Sequence, residues 1–206
     1  ANSTNAQLVL HLDHGASYEQ VIQCLRNGFT SVMIDGSRLP LKENIRVTKE
    51  VTRAAHTVGV SVEAELGAIG GTEDGMTAKA NLVNVDDARC FLEEVTVEAL
   101  AIGIGNAHGI YKSTPNLAFD RLEQVAALGG PALVLHGGSG IPDDMIRKAI
   151  VMGIRKINVA TEVRLAFLEG FGLEVNSKDI YKAYQSAQAH ARKIISDKMS
   201  LFDTTK

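Results

Sequence analysis

Three histidines in this chain stand beside a glycine at or just past the end of a short apolar run: His14-Gly15, His108-Gly109 and His136-Gly137. Neutral imidazole is a common zinc ligand, and a catalytic zinc takes three protein ligands while keeping one position open. A single histidine so placed more often makes a structural hydrogen bond. Three of them, from three separate strand-to-loop junctions, point instead to a metal site. Acidic residues form a second layer. Asp13 adjoins His14, where a carboxylate could act as general acid or base or merely orient a ligand. Asp35 and Glu65 each end an apolar run; they could form an alternative cation position, support the first, or simply bond strand-end amides. His11 shares a face with Asp13 and reads as a supporting group.

Two further stretches suit an anion. His136-Gly-Gly-Ser-Gly-Ile-Pro142 runs from a predicted strand straight into a predicted helix. Glycines let backbone amides approach a ligand, a helix N-terminus favours negative charge, and Ser139 adds a hydroxyl. The next strand ends at Lys156-Ile-Asn-Val-Ala-Thr161, with Thr161 as the expected N-cap. A third stretch, Gly67-Ala-Ile-Gly-Gly-Thr-Glu-Asp-Gly75, reads as a mobile loop able to carry a catalytic group, Glu73 or Asp74, over a substrate.

The elements that must position these residues follow from periodicity. Apolar runs at 7–12, 30–35, 59–66, 99–104, 132–136 and 156–159 read as strands. Helical patterns at 18–27, 41–56, 85–94, 119–127, 143–152 and 162–169 separate them, and a last helix runs from 178 to about 199. Ser17 is placed to cap the first helix, and Pro142 to open another. Alternation of β and α argues for parallel strands with right-handed crossovers. Chemistry-bearing residues collected at C-terminal strand ends favour a (β/α)8 TIM barrel over an open sheet, because barrel strand ends converge on one mouth. Only six strands are found.

Composition narrows the function classes. The 206 residues suffice for one domain, 1–206, and a net charge of −3 gives no reason to expect nucleic acid or an anionic membrane. No apolar run approaches the roughly 18 residues of a membrane span, and no secretory signal pattern opens the chain. Cys24 and Cys90 share no metal or redox spacing and are expected as buried or semi-buried thiols in a cytoplasmic setting.

Seven motifs, in order along almost the whole chain, resemble the class II, metal-dependent ketose-bisphosphate aldolases. They are His11-Leu-Asp-His-Gly15, Val32-Met-Ile-Asp-Gly-Ser37, Val62-Glu-Ala-Glu-Leu-Gly67, Gly70-Gly-Thr-Glu-Asp-Gly75, Gly105-Asn-Ala-His-Gly109, Val134-Leu-His-Gly-Gly-Ser-Gly140 and Lys156-Ile-Asn-Val-Ala-Thr-Glu162. The resemblance implies zinc on His14, His108 and His136, with Asp35 and Glu65 near an alternative metal position. It implies that Asp13 handles the hydroxyl proton at the cleaved bond and Glu73 the proton at the donor carbon. Gly109, Gly137, Ser139, Asn158 and Thr161 match positions around the donor phosphate, where a monovalent cation, Na+ or K+, also binds. The implied reaction is reversible cleavage of fructose or tagatose 1,6-bisphosphate to glycerone phosphate and glyceraldehyde 3-phosphate, in a cytoplasmic homodimer or homotetramer. The family barrel has two βα units before His11-Leu-Asp-His that this chain lacks, and the contact to a second phosphate has no clear match.

Other readings remain at this level: an aldolase for another phosphorylated ketose, or a non-catalytic metal- or phosphate-binding relative. A Schiff-base aldolase would use Lys156, whose plainer role is a salt bridge. A metallohydrolase would instead turn zinc-bound water on an ester.

Overall fold

The computed structural model describes residues 6–73, 76–78 and 81–203, with backbone alone in the parts of 72–80 it covers. Its strands are β1 (His11–Gly15), β2 (Ser31–Ile34), β3 (Ser61–Leu66), β4 (Gly70–Glu73), β5 (Met76–Ala78), β6 (Ala99–Ile102), β7 (Ala107–His108), β8 (Ala132–Leu135) and β9 (Ile154–Ile157). The helices are α1 (Tyr18–Arg26), α2 (Leu41–Thr57), α3 (Val85–Glu94), α4 (Phe119–Ala126), α5 (Asp143–Val151), α6 (Thr161–Glu174) and α7 (Ile180–Phe202). Six strands form one parallel sheet in the order β1-β2-β3-β6-β8-β9. Each new strand adds on the same side, as in a barrel wall, whereas a doubly wound sheet reverses direction. Among the described residues β1 and β9 are its two edges.

Alternation along each strand sorts the side chains into two layers. Val32 and Ile34, Val62, Ala64 and Leu66, Leu100 and Ile102, and Leu133 and Leu135 join the large core under the helices. The other face packs Met33, Ala101 and Val134 into a small apolar floor. The same face carries Glu63 and Glu65, both 1% exposed, and register sets them opposite Ala99 and Ala101. Small alanines there leave room for two carboxylates inside the curved sheet.

The six predicted strands are all present, but the first is displaced, and the last, expected at 156–159, runs Ile154–Ile157. Leu8, Val9 and Leu10 are exposed, and the ladder begins only at His11. An apolar triplet looked like the strand, but hydrogen bonding starts where the chemistry-bearing residues do. From Leu12 to Gly15 three steps of β1 oppose two of β2, Val32 to Ile34, which is a β-bulge at Asp13-His14. His14 has φ 46, a left-handed conformation rare for a side-chain-bearing residue. Gly15 closes the bulge, since a Cβ there would stand 2.2 Å from the Met33 carbonyl oxygen.

A left-handed residue other than glycine costs about 1–2 kcal/mol. His14→Gly is therefore expected to unfold about 1 kcal/mol harder in urea than His14→Ala, both measured without metal. Since both variants remove the imidazole, the comparison isolates the backbone. Equal midpoints would mean that the bulge relaxes freely.

Local signals explain most helix ends. Ser17 accepts a bond from the Gln20 amide at the start of α1, as its type suggests. Pro142 is the N-cap residue of α5 rather than its first-turn residue. Thr161 is the first residue of α6, whose N-cap is Ala160, so its hydroxyl is not the helix cap expected. α6 and α7 form a hairpin with close backbones: a Cβ on Gly170 would meet the Ser186 carbonyl oxygen at 2.6 Å. His190 is half-buried in that seam and its Nδ1 bonds the Ser186 carbonyl at 2.9 Å. Cys24 is half-buried, while Cys90 is exposed rather than buried.

The glycine-rich stretch read as a loop contains strand. β4 pairs antiparallel with β5 and parallel with β7, aligning Gly71 with His108. The aligned backbones touch, because a Cβ on Gly71, at φ 92, would lie 2.1 Å from the His108 carbonyl oxygen. The Glu73 side chain and all of Asp74 fall outside the described residues.

Candidate metal and phosphate site

The bulge in β1 has a chemical result. Successive strand residues ordinarily face opposite sides. The extra residue lets Asp13 and His14 serve one site, Asp13 reaching Asn158 after β9 while His14 reaches the imidazole of His136 after β8. Asp13 accepts from the Asn158 amide nitrogen at 3.2 and 3.3 Å. His108 comes from β7, and the three imidazoles pack edge to face with centroids 4.7, 5.0 and 5.9 Å apart. One ligand atom from each of His14, His108 and His136 lies within 4.8 Å of the others.

The hydrogen bonds at the far nitrogens set the tautomers, by the rule that a carboxylate only accepts. His14 Nδ1 is 3.1 Å from Asp35 Oδ2, so that nitrogen carries hydrogen. His136 Nε2 is 2.8 Å from Glu63 Oε1, so it too carries hydrogen. The near nitrogens, His14 Nε2 and His136 Nδ1, are 2.9 Å apart. In neutral rings this brings two lone pairs together, and the contact becomes favourable with a cation between them. A soft-to-borderline metal with imidazole preference fits this donor set.

His14 also belongs to a second group with Asp35 and Glu65. Glu65 Oε2 lies 3.8 Å from His14 Nδ1, is buried, and has no hydrogen-bond partner among the described residues. Burial pushes the Glu65 carboxyl up, and the Asp35 charge pushes it further, to about 8. Burial also works to raise Asp35, but hydrogen bonds from His14 and Ser37 outweigh it and hold that carboxyl at about 2. A partnerless buried carboxylate oxygen beside a charged one is a place where a cation would relieve both strains.

A cavity of about 500 Å³ opens beside the histidines. Asp13, His108, Gly109, Gly137, Ser139, Asn158 and Thr161 all line it, which brings together the expected proton-handling and phosphate residues apart from Glu73. Loop amides are partly engaged within the protein. Gly138 N donates to the Asn158 carbonyl at 2.9 Å, and Gly140 N donates to the Glu162 carboxylate. Those two amides serve the loop's own fold rather than a ligand. Ser139 Oγ accepts from Glu162 N at 3.2 Å and ties the loop to the start of α6. Tyr111 braces it from the other side, its hydroxyl accepting from Ala107 N at 2.8 Å and donating to the Gly137 carbonyl at 3.1 Å.

Some participants are not apparent from motif position alone. Glu63 is a charge at period two from Glu65, which would have flagged it as facing the same interior. Its Oε2 accepts from Lys156 Nζ at 2.7 Å and lies 3.7 Å from His11 Nε2. Lys156 thus makes the salt bridge that was its plainer reading. Burial alone would raise the Glu63 carboxyl, yet His136 and Lys156 bring it down to about 2. His11 takes the expected supporting place, its Nδ1 2.8 Å from Ser31 Oγ. Arg164, in the first turn of α6, lines the cavity, and an arginine at that position has no sequence signal beyond its charge.

Comparison with known proteins identifies the family. The family description "Fructose-bisphosphate aldolase class-II" matches residues 1–206. A fructose-bisphosphate aldolase of Streptococcus pyogenes is 44% identical over 201 residues, 97% of this chain and 64% of that protein. The chain therefore spans somewhat under two thirds of that relative's length. A 6-phospho-5-dehydro-2-deoxy-D-gluconate aldolase of Bacillus subtilis is 47% identical over 162 residues, 79% of this chain and 56% of that protein. The crystal structure of the YdjI aldolase from Escherichia coli K12 superposes with a TM-score of 0.87 at 30% identity, covering 98% of this chain and 71% of that one. With strand-end histidines, glycine loop and sheet order all in the expected sequence, the chain belongs to the class II fructose-bisphosphate aldolase family.

Proposed function

We propose that this chain carries the site of a zinc-dependent aldolase that reversibly cleaves a ketose 1,6-bisphosphate, fructose or tagatose, to glycerone phosphate and glyceraldehyde 3-phosphate. The observation that carries this reading is the 2.9 Å approach of His14 Nε2 and His136 Nδ1, each ring anchored on a carboxylate at its far nitrogen. His14, His108 and His136 would hold the zinc, which when bound supplies Lewis-acid polarisation of the ketose carbonyl. Asp13, oriented by Asn158, accepts the hydroxyl proton as the carbon–carbon bond breaks. Glu73 exchanges the proton at the donor carbon. Gly109, Gly137, Ser139, Asn158 and Thr161 hold the donor phosphate, with Na+ or K+ alongside, and so fix the reacting carbons before chemistry begins. Arg164, whose guanidinium can form paired bonds with a phosphate, is the group we assign to the second phosphate. Asp35 and Glu65, with His14, form a second position for the metal.

The same reading takes 1–206 as part of one barrel domain, acting in the cytoplasm on small phosphorylated sugars. No helix among the described residues is long and apolar enough to cross a membrane. Exposed Leu168, Tyr181 and Met199 on the α6–α7 hairpin support a homo-oligomer. The Bacillus relative's name supports a second reading, an aldolase for a different phosphorylated sugar. One assay tests the metal and the substrate. The protein is stripped by a chelator, reloaded with zinc, and offered fructose bisphosphate, tagatose bisphosphate and 6-phospho-5-dehydro-2-deoxygluconate. Cleavage should vanish with the metal and return with zinc. Zinc bound at one per chain with none of the three cleaved would refute an aldolase.

A further inference from the structure

Glu63 is as deeply buried as Glu65 and has no assigned role above. It is 1% exposed, on a strand whose neighbours on that face are Met33, Ala101 and Val134. A buried ion pair there gives little net stability, since the cost of taking two charges from water roughly cancels their attraction. Apolar side chains of similar size would fill the space equally well. The charge calls for another reason.

We infer that Glu63 is a positioning residue: its buried carboxylate fixes His136 as the Nε2–H tautomer and turns Nδ1 toward His14, while Lys156 holds Glu63 in place. The geometry is a chain of short contacts. Lys156 Nζ donates to Glu63 Oε2 at 2.7 Å, and Glu63 Oε1 accepts from His136 Nε2 at 2.8 Å. His136 Nδ1 then faces His14 Nε2 at 2.9 Å. A histidine held this way presents one nitrogen, already aimed, to whatever cation the cluster binds, and such outer carboxylates commonly set ligand basicity and orientation. The inference rests on the proposed metal site for its purpose but not for its measurement.

Two readouts test it. Long-range 15N–1H spectra of the metal-free chain report the His136 tautomer directly, and Nε2–H is expected. Nδ1–H in the wild-type chain would overturn the inference. Glu63→Gln keeps the shape, but its amide cannot accept from both His136 and Lys156, so one contact must fail. Its zinc dissociation constant, measured by chelator competition, should rise about 10- to 100-fold. Lys156→Met, which leaves the carboxylate, should raise it less, and the double variant should recover part of the Glu63→Gln loss, because the amide carbonyl is then free to accept from His136. Lys156→Met also serves if Glu63→Gln fails to fold. Folded variants with unchanged zinc affinity and an unchanged tautomer would reduce Glu63 to a structural salt bridge. A wild-type chain that binds no zinc would refute the metal site instead, with the tautomer still deciding Glu63.

Discussion

Asp13→Asn is expected to lower kcat for ketose cleavage by about 10²- to 10⁴-fold, the usual contribution of a positioned acid or base. Zinc content should stay unchanged, because Asp13 is not among the grouped metal-site residues. The variant should fold, since asparagine can still accept through its carbonyl the bond that Asn158 now gives to Asp13. KM should move much less than kcat, as the proposed phosphate contacts come from the segments after β7, β8 and β9. A variant retaining more than a tenth of wild-type kcat would remove Asp13 from the proton path and leave it a mere orienting group.

Gly137→Ala should be nearly as damaging for a different reason. Gly137 has φ 63, and a Cβ on it would lie 2.1 Å from the Ala107 carbonyl oxygen. That contact is backbone, so relief requires β7 to move by an ångström or more. β7 carries His108, and Gly137 follows His136 directly. One methyl group would therefore wedge apart two of the three imidazoles and also the phosphate loop. Misplacement on this scale costs about 10²-fold in rate. Left-handed backbone adds about 1–2 kcal/mol of strain. Turnover, zinc affinity and the unfolding midpoint should all fall together, and loss of turnover alone would mean that the loop, not the metal cluster, absorbs the methyl group.

Which residues meet was largely legible in the sequence, and how they meet was not. His14, His108 and His136 were recognisable because glycine followed each at a strand end, a pattern set by local chain geometry. Helices α1 to α5 were recognisable from periodicity, and Ser17 from its capping chemistry. By contrast, the bulge at Asp13-His14 depends on the register of β1 against β2, which only the neighbouring strand determines. β4 and β7 hold few residues and several glycines, so their pairing comes from tertiary contact rather than propensity. Glu63 looked like one more charge in a motif until its register opposite Ala99 gave it an interior to occupy. Thr161 carried a capping residue's chemistry at a position the fold uses as the first turn.

The six-stranded sheet has a consequence at its margins. All its strands run parallel, so its two borders, β1 and β9, are unlike. A border of this kind cannot match itself across a simple two-fold without reversing strand direction. Its natural complement is the opposite border of another such sheet, and that union leaves a fresh pair of unlike borders at the ends. Leu8, Val9 and Leu10, exposed beside β1, make the first border sticky. Repeated head to tail, the union either curls into a ring or grows as a filament. Chain packed along β1 or β9 would therefore cap such growth as well as shield the edge amides.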